Sequence, residues 1–73
     1  MTWNSEDAKT WMIKYANTLA SNGDAETSNK LRYDALCCDV CQSEQSFIQI
    51  LKDIAKLDNI HIQWALKEVR HDG

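Results

Sequence analysis

Proline is absent from this sequence, and glycine occurs only at Gly23 and Gly73. Chain reversals between strands depend on both residue types, so their scarcity argues against a hairpin-rich β fold and leaves helix formers to dominate. Apolar residues nowhere run longer than Ala35-Leu36-Cys37-Cys38, far short of the roughly 20 that a membrane-spanning helix requires. The opening MTWNSEDAK has neither the basic nor the apolar stretch of an export signal. The expectation is a cytoplasmic protein with no membrane partner. Histidine is nearly as scarce, at His61 and His71, and no Gly-rich phosphate loop, H-E-x-x-H run or G-x-S-x-G elbow is present. A nucleophile-base pair would have to be drawn from those two histidines, and the acids Glu6 and Asp7 are explained by helix capping. The reading is therefore non-enzymatic, with no catalytic residues, no metal and no cofactor expected.

What is present fits one small helical domain over residues 1–73. The chain is 44% hydrophobic and 26% charged, close to the globular average. A domain of this size buries only about 60% of the surface its unfolded chain exposes, so its stability margin is thin. A net charge of −3 and a pI near 5.1 oppose sequence-independent nucleic-acid binding, which is driven by phosphate neutralisation.

Start and stop signals divide the chain into a bundle of three or four helices. In WNSEDA, Asn4 is the expected N-cap, Glu6 and Asp7 face the positive end of the dipole, and Trp3 is placed to staple onto Ala8. Ala8, Trp11, Met12, Tyr15, Ala16 and Leu19 then recur at helical spacing until SNGD, where Gly23 supplies a left-handed cap. That gives a helix over 5–21. Asp24 caps a second over 24–40, and Ser43 a third over 44–57. The segment NIHIQWALKEVR forms a fourth over 59–70 or continues the third. A continuous helix would set Asp58 on the apolar face among Phe47, Leu51 and Ile54. A break would make Asp58 an N-cap and let Leu57 staple to Ile62.

Cys37, Cys38 and Cys41 are the only cysteines. An odd count in a reducing compartment argues against a structural disulfide framework. On a helix the three share an arc of about 100° beside Asp34, but zinc wants four ligands in paired spacings. The Cys38-Cys41 pair also follows a helical pattern rather than opening one, so the dipole does not activate it. Packing is the preferred role: Tyr33, Leu36, Cys37, Val40 and Cys41 form one stripe and Leu31, Ala35 and Cys38 another, with the second helix sandwiched between two neighbours, either helices one and three or another subunit.

Two further patterns bear on function. Phe47, Ile50, Ile54, Leu57, His61 and Trp64 fall in a heptad-like seam if the last helices are continuous, with Leu51, Ala55, Ile62, Leu66 and Val69 beside it. So wide an apolar face implies that oligomerisation completes the bundle, with Trp11 as a further anchor. The alternative is a monomer that folds its fourth helix back and uses both stripes. On the opposite side Gln45, Gln49, Lys52, Lys56, Gln63, Lys67 and Arg70 form an arc without an acid. A solvated surface explains it, with an anion-binding role for Lys52, Lys56, Lys67 and Arg70 as the alternative. The leading expectation is a regulatory or accessory protein that self-associates and binds or blocks a protein partner. The alternative is a helical oligomer binding nucleic acid or a small anionic ligand.

Overall fold

The computed structural model describes residues 3–70, without the Arg70 side chain, and its described residues form four helices and no strand. They are α1 (Ser5–Ser21), α2 (Ala25–Cys37), α3 (Glu44–Asp53) and α4 (Asn59–Arg70). The all-α bundle expected from the sequence is the observed fold. No described helix is long and apolar enough to cross a membrane.

Each helix starts where a short polar side chain replaces a missing intrahelical acceptor. Asn4 accepts from the Asp7 backbone N–H at 3.0 Å, Asp24 from that of Thr27 at 3.1 Å, and Ser43 from that of Ser46 at 3.2 Å. At the fourth start, Asp58 accepts from the His61 N–H at 2.9 Å. The end of α1 is equally well determined. Gly23 adopts a φ of 94°, which lets its own N–H reach the Ala20 carbonyl and the Asp24 N–H reach the Leu19 carbonyl, the paired closure of a Schellman motif.

Two helices are shorter than their patterns predict. α2 stops at Cys37 rather than 40 because the Cys38 N–H makes the last helical bond, to Asp34, and Asp39 turns left-handed at φ 53°. That reversal allows Cys41 to be buried and its carbonyl to accept from the Trp3 indole at 2.8 Å. α3 stops at Asp53 rather than 57: the Ala55 and Leu57 N–H groups fold back onto the carbonyls of Ile50 and Leu51, with Lys56 left-handed at φ 56°. The continuous-helix alternative is thereby overturned.

With the chain broken, α4 turns its apolar side inward. Ile62, Ala65, Leu66 and Val69 join Ala8, Met12, Ala16, Leu31, Ala35, Cys41, Phe47 and Leu51 in one buried core. α1 packs against α2 and α4, and α3 packs against α4. Phe47 is fully buried between two tryptophans, its ring 5.5 Å from that of Trp3 and 5.7 Å from that of Trp11. Such aromatic contacts add to the area term that dominates the stability of a small core. The one buried polar residue described, Ser28, sits between α2 and α1 and accepts from Arg32, whose guanidinium also reaches Asn17 Oδ1 at 2.7 Å.

Within one chain α1 is the helix packed along α2, so a sandwich between helices one and three is not formed. The inner side of α2, Ser28, Leu31 and Ala35, is buried, whereas Tyr33, Leu36, Cys37 and Cys38 are exposed and Val40 is half-buried. Packing within the chain therefore holds for Cys41 and is corrected for Cys37 and Cys38, which are exposed. Cys37 lies on the side of α2 opposite the inner residues Ser28, Leu31 and Ala35, and Cys38 is the C-cap at which the helix ends.

Candidate functional site

An open groove of about 1200 Å³ runs between α1 and α4. α1 contributes Trp11 and Tyr15, stacked with centroids 5.2 Å apart and 19° between planes. The facing wall is Trp64, Ala65 and Val69 of α4, with Leu57 and His61 closing one end. Helical spacing accounts for the walls: Trp11 and Tyr15 are four positions apart, as are Ala65 and Val69. The rims carry both signs of charge, Asp7 and Lys14 on α1 and Lys67 and Glu68 on α4. Trp11 joins the walls by donating its indole N–H to Glu68 Oε2 at 2.6 Å. Burial raises the Tyr15 hydroxyl above its ordinary pKa, helped by the Asp24 charge, so it stays a neutral phenol.

The helix start at Asp58 sets the end of this groove. Asp58 Oδ1 lies 2.6 Å from His61 Nδ1, and the His61 ring meets Trp64 edge-on at 5.3 Å. The backbone N–H of His61, and after it the ring contact, hold the Asp58 carboxyl below its ordinary range. His61 is exposed in the first turn of α4, as a break at Asp58 requires; its place inside an apolar seam depended on the continuous helix that is not formed. The seam itself is divided: Phe47 is buried, Ile50, Ile54 and Leu57 are half-buried, and His61 and Trp64 are exposed on a different helix. Folding α4 back consumes the stripe of Leu51, Ile62, Leu66 and Val69 in the core, leaving Ala55 half-buried. The surplus apolar surface is accordingly smaller than the sequence implies. Among the described residues, the large hydrophobic side chains left exposed are Ile60 and Trp64 on α4 and Tyr33 and Leu36 on α2.

Ile60 is the residue that sequence reasoning missed. The heptad frame singled out positions 57, 61 and 64, whereas a helix that begins at Asn59 and buries Ile62, Ala65, Leu66 and Val69 points Ile60, Trp64 and Lys67 the opposite way. Spacings from the cap, rather than from the preceding helix, carry that signal.

The basic arc is exposed at Gln45, Gln49, Lys52, Lys56, Gln63 and Lys67, while the Arg70 side chain lies outside the described residues. Lys52 and Lys67 stand on separate helices with Lys56 in the turn between, and Gln49 donates to Asp53 Oδ2 at 2.8 Å. An acid thus borders the arc. Among the cysteines, burial pushes the Cys41 thiol up to about 11 despite the opposing charge of Lys9. Local desolvation and then the Asp34 carboxylate raise Cys38, with Cys37 and Asp39 adding to them. No group of three or more metal-ligating side chains converges among the described residues. No protein-family model, curated protein or solved structure matches this chain.

Proposed function

We propose that this chain is a non-enzymatic helical interaction protein that self-associates and binds or blocks a protein partner. The carrying observation is the aromatic groove between α1 and α4, whose wall residue Trp64 is 61% exposed. Tryptophan and tyrosine contribute more interface energy than other residues because each buries a large rigid area at low entropic cost. Mixed charge on the rims suits a polypeptide surface better than a polyanion. The ring nitrogen nearest Asp58 is engaged by a helix cap and the ring face is packed by Trp64, which supports a structural rather than catalytic duty for His61. The proposed compartment is the cytoplasm, on the odd count of three cysteines.

The nucleic-acid reading rests on Lys52, Lys56 and Lys67, and it is disfavoured by the net charge of −3 and by the lack of an aromatic residue in the arc. Light scattering over the micromolar range, paired with titration against random-sequence DNA and RNA at physiological salt, separates the two readings. The expected result is a weight-average mass that rises with protein concentration and no salt-sensitive binding to either nucleic acid. Tight binding that weakens linearly with log salt, and is lost on Lys52→Glu with Lys56→Glu, would replace the proposal with the nucleic-acid reading.

A further inference from the structure

The corner between α1 and α2 is built on Asn22-Gly23. Of the asparagines in the sequence, Asn22 alone precedes glycine; Asn4, Asn17, Asn29 and Asn59 precede Ser5, Thr18, Lys30 and Ile60. Without a Cβ, glycine leaves its own backbone nitrogen open to attack the side chain before it. Asn22 and Gly23 are both exposed, and a methyl added at Gly23 would meet nothing within 4 Å, so water reaches the pair. The hydrogen bonds of the corner oppose reaction. The Gly23 N–H is donated to the Ala20 carbonyl at 3.1 Å and the Asp24 N–H to that of Leu19 at 2.9 Å. They hold Asn22 at ψ 6°, far from the rotation that would bring the Gly23 nitrogen alongside the Asn22 Cβ.

We propose that Asn22 is a site of self-modification, deamidation through a succinimide, and that the hydrogen-bonded reversal at Gly23 is the gate that restrains it. In the open turn the Gly23 nitrogen loses its proton to hydroxide and attacks the Asn22 side-chain carbonyl carbon. A new C–N bond closes the ring, the bond to the side-chain nitrogen breaks, and that nitrogen leaves as ammonia after taking a proton from water. Water then opens the ring. Cleavage at the former side-chain carbonyl gives aspartate, and cleavage at the main-chain carbonyl gives isoaspartate, whose backbone runs through the former Cβ. Both products act on the corner. Aspartate at the C-cap sets a negative charge at the negative end of the α1 dipole. Isoaspartate inserts a methylene into the main chain between the Leu19 and Ala20 carbonyls and their two donors, so the paired closure loses its register. Each product therefore weakens the closure that had restrained its formation.

Peptide mapping by mass spectrometry, after incubation at mildly alkaline pH with and without guanidinium chloride, tests the site and the gate together. The expected result is conversion of Asn22 ahead of every other asparagine, to aspartate and isoaspartate, about tenfold or more slowly in the folded chain because the open turn is its minor population. Asn22→Gln, whose longer side chain would have to close a larger ring, should stay unmodified at that position in both conditions and keep the far-UV circular dichroism of the wild type. The modified fraction, separated by ion exchange, should have a lower thermal midpoint than the unmodified chain. Absence of conversion in denaturant, or faster conversion at another asparagine, overturns the site. Equal rates in the folded and denatured chain overturn the gate. A modified fraction that melts with the unmodified chain overturns the effect on the corner.

Discussion

Asp58 and His61 are joined twice over, through the backbone N–H at 2.9 Å and the ring Nδ1 at 2.6 Å, both to the same carboxylate oxygen. The first bond starts α4, and the second fixes the imidazole where its edge meets Trp64. Asp58→Ala removes both and should lower helix content and the thermal midpoint, with fraying concentrated in the first turn of α4. Asp58→Asn keeps a capping acceptor and should avoid most of that loss. Amide hydrogen exchange at Asn59 to Ile62 checks the location.

The same pair sets a pH dependence. The folded Asp58 carboxyl is held below its unfolded value by its hydrogen bonds to His61. Its contribution to stability is therefore fully present above the unfolded carboxylate pKa and is lost as pH falls through the lower folded value. Urea unfolding along an acid series should show an acid limb that is shallower in Asp58→Asn.

Helix breaks were partly legible in the residues. The four caps and the Gly23 reversal follow from local chemistry, and so did the bounds of α1 and α4. The ends of α2 and α3 did not, because Asp39 and Lys56 enter the left-handed region without glycine, a choice imposed by tertiary contacts such as the Trp3 bond to Cys41. The groove was only half legible. Trp11 and Trp64 could be picked out as anchors, but the fold-back that makes them face one cavity, and that leaves Ile60 outside, depends on the break at residues 54–58.

Left-handed positions give a pair of opposed stability tests. A methyl added at Gly23 meets nothing within 4 Å, so Gly23→Ala reports backbone conformation alone and should cost about 1 kcal/mol. Lys56→Gly relieves the same conformational penalty at φ 56° and should be neutral or stabilising by less than about 1 kcal/mol. Thermal or urea denaturation reads both.

The thiols should divide by exposure. Cys37 and Cys38 are exposed and Cys41 is buried, with its thiol pushed up to about 11. A colorimetric disulfide reagent should therefore titrate Cys37 and Cys38 in the folded chain, Cys38 slowed by its raised thiol pKa, and Cys41 only on unfolding. Cys37→Ser and Cys38→Ser should leave the unfolding midpoint unchanged. Cys41→Ser puts a hydroxyl into an apolar site and should cost about 1–3 kcal/mol.

Phe47 is the keystone of the aromatic cluster, fully buried against Trp3 and Trp11. Phe47→Ala should cost about 3–5 kcal/mol, enough to unfold much of a population whose total margin is small. Near-UV circular dichroism would report the loss of the fixed tryptophan environment.

Association through an apolar surface is the centre of this account, and sedimentation equilibrium of the unmodified chain across the micromolar range tests it most directly. The account predicts a weight-average mass that climbs from 8.4 kDa toward twice that value and changes little with salt. A mass that stays at the monomer value at every concentration would contradict it.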